Sequence, residues 1–227
     1  MNDSPLFPET LSLAVHEFRT PLSVAVGYLG FVLNEQVGPV TEKQRKFLGE
    51  VQKMCGRLKE LVDEMSDVSR LETRELALAK QEFDINVLVQ GLANDMHDAD
   101  GREIHIDVNA ADGPLVITGD RARLARALGA LMYAVVRERP LAALTAHSSV
   151  AEYDGTSWAV LAIGDASEIE SLRQIGGTHA DFNEWTRGLG LALPVARRII
   201  EAHGGAIWSA ANPQSKAASA LRLPLRT

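Results

Sequence analysis

The chain has 227 residues, of which 46% are apolar, 23% charged and 5% aromatic, and its formal net charge is −7. That apolar share excludes a disordered chain, and the length suits one large domain or two small ones. The acidic balance argues against a nucleic-acid or anionic-membrane surface, and the one cysteine, Cys55, excludes an internal disulfide framework or a CxxC metal site.

Residues from about Glu9 to Glu72 predict two long helices. Leu11, Val15, Phe18, Leu22, Ala25, Leu29 and Val32 recur at alternating spacings of four and three, and so do Phe47, Val51, Met54, Leu58, Leu61, Met65 and Val68. Between them Asn34 to Val40 carries Gly38 and Pro39. Thr41-Glu42-Lys43-Gln44 then fits a capping box. A short link between helices of similar length predicts an antiparallel hairpin. Val26, Leu33, Leu48, Cys55 and Val62 widen the apolar stripe beyond one seam, which predicts a dimer forming a four-helix bundle. At the far end the widening positions turn polar, at Ser12, Arg19 and Ser69.

A charged stretch, Thr73 to Glu82, reads as the junction between domains 1–75 and 76–227. Beyond it the pattern predicts an α+β layer of sheet against helices. Helices are expected at Ile85–Met96, Asp120–Arg137 and Gly188–His203. Strands are expected at Glu103–Val108, Pro114–Thr118, Ala142–Glu152, Ser157–Ile163, Ala206–Ala210 and Ala220–Pro224, with Asp154-Gly155 as a hairpin turn. Ala166–Arg187 reads as irregular. His105 is expected to face solvent, and His203 to place a cation at a helix end. No apolar run approaches the ~18 residues of a membrane span. Met1–Thr10 does not have the pattern of a signal peptide, so a cytoplasmic location is expected.

His16 follows the seam residue Val15 and should point outward. Ser12, His16 and Thr20 fall at i, i+4 and i+8, one polar column on the helix, with Arg19 beside it. Pro21 removes one backbone hydrogen bond a turn later. A neutral imidazole is a competent nucleophile near neutral pH, and a carboxylate on one ring nitrogen raises the basicity of the other.

The string His16-Glu17-Phe18-Arg19-Thr20-Pro21-Leu22 on such a hairpin resembles the phosphoacceptor box of bacterial two-component sensor histidine kinases. The resemblance implies that His16 is phosphorylated, that Glu17 assists proton transfer, and that Thr20 orients water for dephosphorylating a partner's aspartyl phosphate. Ser12 and Arg19 then belong to the face that docks a response-regulator receiver domain. The family carries an ATP-binding α/β sandwich after its hairpin. Arg187-Gly188-Leu189-Gly190-Leu191-Ala192-Leu193 resembles its glycine-rich segment, so Gly188 and Gly190 stand where backbone N–H groups approach phosphate.

Two elements depart from the family pattern. The asparagine that holds magnesium is replaced by Ala134, and a second frequent asparagine by Ala130, so no metal ligand is expected there. The Asp-x-Gly-x-Gly segment that cradles adenine reads Asp165-Ala166-Ser167-Glu168-Ile169. It keeps Asp165 for the adenine amino group, loses both glycines, and brings Glu168 toward a polyphosphate. Phosphoryl transfer depends on metal neutralisation of charge, and losing the ligand removes several kcal/mol of it. The expectation is a homodimeric phosphotransferase or phosphatase whose phosphoryl group comes from a separate kinase or regulator, not from ATP and Mg. The alternatives are a kinase core using ATP through a divergent site and a scaffold that is never phosphorylated.

Overall fold

Heptad-spaced apolar residues form the two expected helices, α1 (Leu6–Leu33) and α2 (Glu42–Glu72). The structure is a computed structural model and describes residues 6–72, 77–96, 105–138, 144–177, 179–184, 190–211 and 217–226. The chain divides into two compact units, Met1–Leu76 and Ala77–Thr227.

In the first unit the capping box forms at Thr41. Its N–H donates to Gln44 Oε1 at 2.9 Å, and the Gln44 N–H donates to Thr41 Oγ1 at 3.3 Å. Arg45 Nη1 donates to Leu33 O at 3.0 Å, tying the start of α2 to the end of α1. Gly38 takes a φ of 128° in the link, a conformation that side-chain-bearing residues rarely adopt. Pro21 lies inside α1, which continues through it.

The two helices meet along one line of the wide stripe. Val15, Cys55, Val62 and Ser69 are buried, while Val26, Leu33 and Leu48 are half-buried. The other line faces out. Phe18, Phe47, Val51, Met54 and Leu58 are all exposed, Met54 by 60%. In the linker half of α2, therefore, the a/d seam points away from α1, and the position that follows each d residue packs inside.

The second unit is a six-stranded mixed sheet. Its strands are β2 (Ile106–Asn109), β4 (Leu144–Tyr153), β5 (Thr156–Asp165), β6 (Ala180–Asp181), β7 (Ala206–Ser209) and β8 (Ser219–Pro224), in the order β2-β4-β5-β8-β7-β6. β2 and β4 run parallel and the other pairs antiparallel. A small antiparallel pair joins β1 (Gln81–Asp84) to β3 (Val116–Gly119). The helices are α3 (Ile85–Met96), α4 (Arg121–Glu138), α5 (Ala166–Leu172) and α6 (Ala192–Ala202). This is the expected α+β class, a sheet with helices.

Strand alternation sorts the helices by face. Ser148 is opposite Leu161, and its Oγ donates to Asn86 of α3 at 2.6 Å, so α3 lies on that face. α4 packs on α3 and α6 there, burying Leu124, Leu128, Leu131, Ile199 and Ile200. Ala162, one residue along β5, looks the other way. It packs with Ile169 and Leu172 of α5, Ala218, Ala220 and Trp208.

Three expectations are corrected. Ala166–Arg187 is not irregular throughout, because Asp165 caps α5 within it. β1 begins within the end of the expected junction, and its exposed polar residues Gln81 and Glu82 hide the strand pattern. His203 is not a surface cation. It is 7% exposed, its Nε2 accepts from the Asp120 N–H at 2.9 Å, and its Nδ1 pairs with Ile199 O at 2.7 Å. Both contacts need the neutral ring with its proton on Nδ1.

Burial pushes the His203 pKa down, outweighing the Ile199 hydrogen bond and Asp120, while Lys80 and Arg123 lower it further. The unfolded state then binds a proton that the folded state refuses. Stability should be constant above about pH 6.5 and fall as pH is lowered from there. Thermal melts between about pH 7 and pH 5 should show this slope, and His203→Gln, which does not titrate, should flatten it.

Candidate functional site

Val15 fixes the direction of its neighbour. It is 4% exposed between α1 and α2, and the next residue is turned about 100° around the helix. His16 therefore stands in solvent, its side chain 78% exposed. Ser12 and Thr20, one turn away on either side, are also exposed and share its face. Glu17 Oε1 lies 3.5 Å from His16 Nδ1, long for a hydrogen bond but close enough to favour a proton there. That leaves Nε2 as the nitrogen with a free lone pair.

Arg19 does not stand in open solvent alone. Its Nη2 donates to Asp63 Oδ1 of α2 at 2.9 Å, with both side chains about half exposed. The pair bridges the helices at the end of the hairpin that holds His16. Sequence reasoning gave Arg19 a docking role and missed Asp63, which lies off the apolar stripe of α2 and carries no signal by spacing.

In the second unit the residues assigned to nucleotide are spread over both faces of the sheet. Ala134 is 2% exposed in α4, packed among the apolar residues of that helix. Gly190 precedes α6 on the same face, with a φ of 58°. Gly188 lies outside the described residues. Asp165 ends β5, and its Oδ1 accepts from Ser167 N–H at 3.0 Å and Ser167 Oγ at 2.8 Å, capping α5 on the opposite face. Ile169, where the family has its second glycine, is 6% exposed and packed against the sheet, and Glu168 is buried too.

Among the described residues, the position taken by Ala134 does not fit a magnesium ligand. A buried methyl group offers the metal nothing, and one oxygen of Asp165 already accepts two hydrogen bonds within its own helix cap. Among the described residues no group of three or more His, Cys, Asp or Glu is placed to hold a metal ion, and no helix is long and apolar enough to cross a membrane.

Comparison with known proteins adds to this geometry. The family profile "His Kinase A (phospho-acceptor) domain" matches residues 9–74. The chain is 24% identical over 218 residues to the histidine protein kinase DivJ of Caulobacter vibrioides, spanning 92% of this chain and 36% of that one. It is 29% identical over 220 residues to the sensor protein GacS of Pseudomonas syringae pv. syringae, spanning 90% of this chain and 23% of that one. The crystal structure of full-length ShkA in complex with AMPPNP superposes with a TM-score of 0.70 at 24% identity, over 97% of this chain and 46% of that chain. That likeness shows the fold. The chain thus spans only about a third or less of these curated relatives.

Restoring the missing asparagine should not restore the chemistry. Ala134→Asn puts a buried amide among apolar neighbours, which should cost about 1–3 kcal/mol. Calorimetry should find a lowered melting temperature and no gain of Mg-dependent ATP binding.

Proposed function

Because the chain belongs to the two-component sensor histidine kinase family, we propose that it is a phosphoryl carrier in two-component signalling that exchanges its group with a receiver-domain aspartate rather than taking it from ATP. The exposed imidazole of His16, with Glu17 at its Nδ1 side, is the observation that carries this reading. In the forward step the Nε2 lone pair attacks the phosphorus of an aspartyl phosphate. The acyl P–O bond breaks, and the aspartate leaves as a carboxylate. Glu17 steadies the positive charge that develops on the ring. The reverse step returns the group to an aspartate. Thr20, exposed one turn along the same face, takes the role of orienting water when the partner is dephosphorylated instead. Ser12 and Arg19 flank His16 as docking contacts.

The reading against ATP rests on Ala134, which offers a metal nothing, and on Ile169, buried where the family has a glycine. Gly190, with positive φ before α6, favours the second reading, a kinase that uses ATP through an altered site. The two readings separate in one experiment. Purified protein given radiolabelled ATP should stay unlabelled, and given a phosphorylated receiver domain it should gain label or strip it. His16→Gln should abolish the exchange. Label from ATP that disappears in His16→Gln would establish the kinase reading instead. A receiver that neither donates nor loses phosphate would leave a scaffold.

The outward seam supports a homodimer closing a four-helix bundle. Phe18, Phe47, Val51, Met54 and Leu58 lie on it, and an apolar row of this length is best covered by its own copy. Met54→Glu with Leu58→Glu should convert the dimer to a monomer in light scattering while the helices persist in circular dichroism.

A further inference from the structure

The sheet face that carries α5 holds a second feature, independent of His16 and of the nucleotide question. Tyr153, Ile175, Gly176, His179, Ala206, Trp208 and Arg222 line a pocket of about 210 Å³ there. Register puts Arg222 opposite Val160 and Ala206, and Trp208 opposite Ala220, so these side chains share the face.

Arg222 is the unusual member. Its guanidinium carbon lies 4.8 Å from the Tyr153 ring centroid and 4.4 Å from that of Trp158. Its Nε is buried without a hydrogen-bond partner, and no carboxylate pairs with Arg222 among the described residues. Arg19, Arg45, Arg57, Arg173, Arg197 and Arg226 all have acidic partners in this acidic chain. A half-buried guanidinium left without an anion loses hydrogen bonding that water would have supplied.

The aromatic rings of the pocket and of the Arg222 stack are held in place. Trp208 Nε1 donates to Leu172 O at 2.8 Å, and Trp158 Nε1 to Tyr153 O at 3.2 Å. His179 stacks on Trp208 at 5.3 Å between centroids and 29° between planes, and its Nε2 pairs with Gln174 O. None of the described residues lining the pocket is acidic. Flat rings on two sides and one unpaired planar cation fit a flat body carrying one carboxylate, and the volume admits a single ring.

We propose that this pocket is a binding site for a small aromatic carboxylate, with Arg222 pairing to the carboxylate and Tyr153, His179 and Trp208 enclosing the ring. Gly176 and His179 belong to the loop that follows α5, so an occupant would also fasten that loop to the sheet.

Benzoate is the probe, titrated into the full chain and followed by the indole N–H signals of Trp158 and Trp208 in heteronuclear NMR, assigned with Trp158→Phe and Trp185→Phe. Saturable shifts at both indoles are expected, with a Kd near about 1 mM. Benzamide, its neutral counterpart, should bind at least about tenfold more weakly, as should benzoate to Arg222→Gln. Absence of shifts up to about 10 mM benzoate overturns the proposal. So does equal binding of benzamide, or unchanged binding to a folded Arg222→Gln. Should that variant not fold, the benzoate–benzamide comparison on the unaltered protein decides alone.

Discussion

A valine sealed between two helices decides where the neighbouring histidine points. Val15 cannot leave the α1–α2 contact without exposing apolar surface, at a cost of about 1.5–3 kcal/mol for a side chain of its kind. Helical geometry then turns His16 out of that contact, and Ser12 and Thr20 with it. The exposed polar column is a consequence of packing rather than of any bond the histidine makes. The same constraint splits the apolar stripe. Once Val15, Cys55, Val62 and Ser69 fill the space between the helices, Phe18, Val51, Met54 and Leu58 have no partner within their own hairpin.

The second unit shows the opposite relation between packing and chemistry. At the positions where the family holds metal and adenine, this chain has residues that serve its core. Ala134 is small enough to sit in the interior of α4, and Ile169 drops onto the sheet beside Leu172 and Ala162. Ala134 removes a polar group that would otherwise need a partner, and Ile169 adds apolar contact. Fold alone does not imply the family's reaction. α5 then lies on the sheet face away from α4 and α6, so Asp165 caps a helix on one side while Gly190 opens one on the other.

Strong periodicity made the hairpin legible, and it also concealed which line was inner. With a, d and e positions all apolar, either line of the stripe could have faced α1, and the choice depends on side-chain fit that spacing does not encode. α3 was legible to the residue because its apolar period is clean. The seven residues of α5 offered only Ile169 and Leu172 as a pattern, too few to show a helical period, although Asp165 two residues before Ser167 was a readable cap. β1 was hidden because Gln81 and Glu82 are exposed. His203 misled for a different reason. A histidine before two glycines suits a solvent-facing helix end, and only the tertiary approach of the Asp120 N–H turns it inward. Arg222 carried no signal at all. Its neighbours, Tyr153 and Trp158, come from another hairpin, and the register that stacks them is set by the whole sheet.

Polar packing at the His16 end of the hairpin bears on how a receiver could dock there. Toward the link the helices meet through Val26, Leu33, Leu48 and Cys55, whose separation would expose apolar surface. Toward His16 the contact passes to Arg19–Asp63 and Ser69. A half-exposed ion pair contributes about 0–1 kcal/mol, because water solvates both groups nearly as well when they are apart. An acidic partner surface can therefore draw Arg19 away from Asp63 at little cost, while Val15 keeps His16 fixed. Under the docking proposed above, contacts at this end would adapt without disturbing the histidine, a division that an all-apolar interface would not allow.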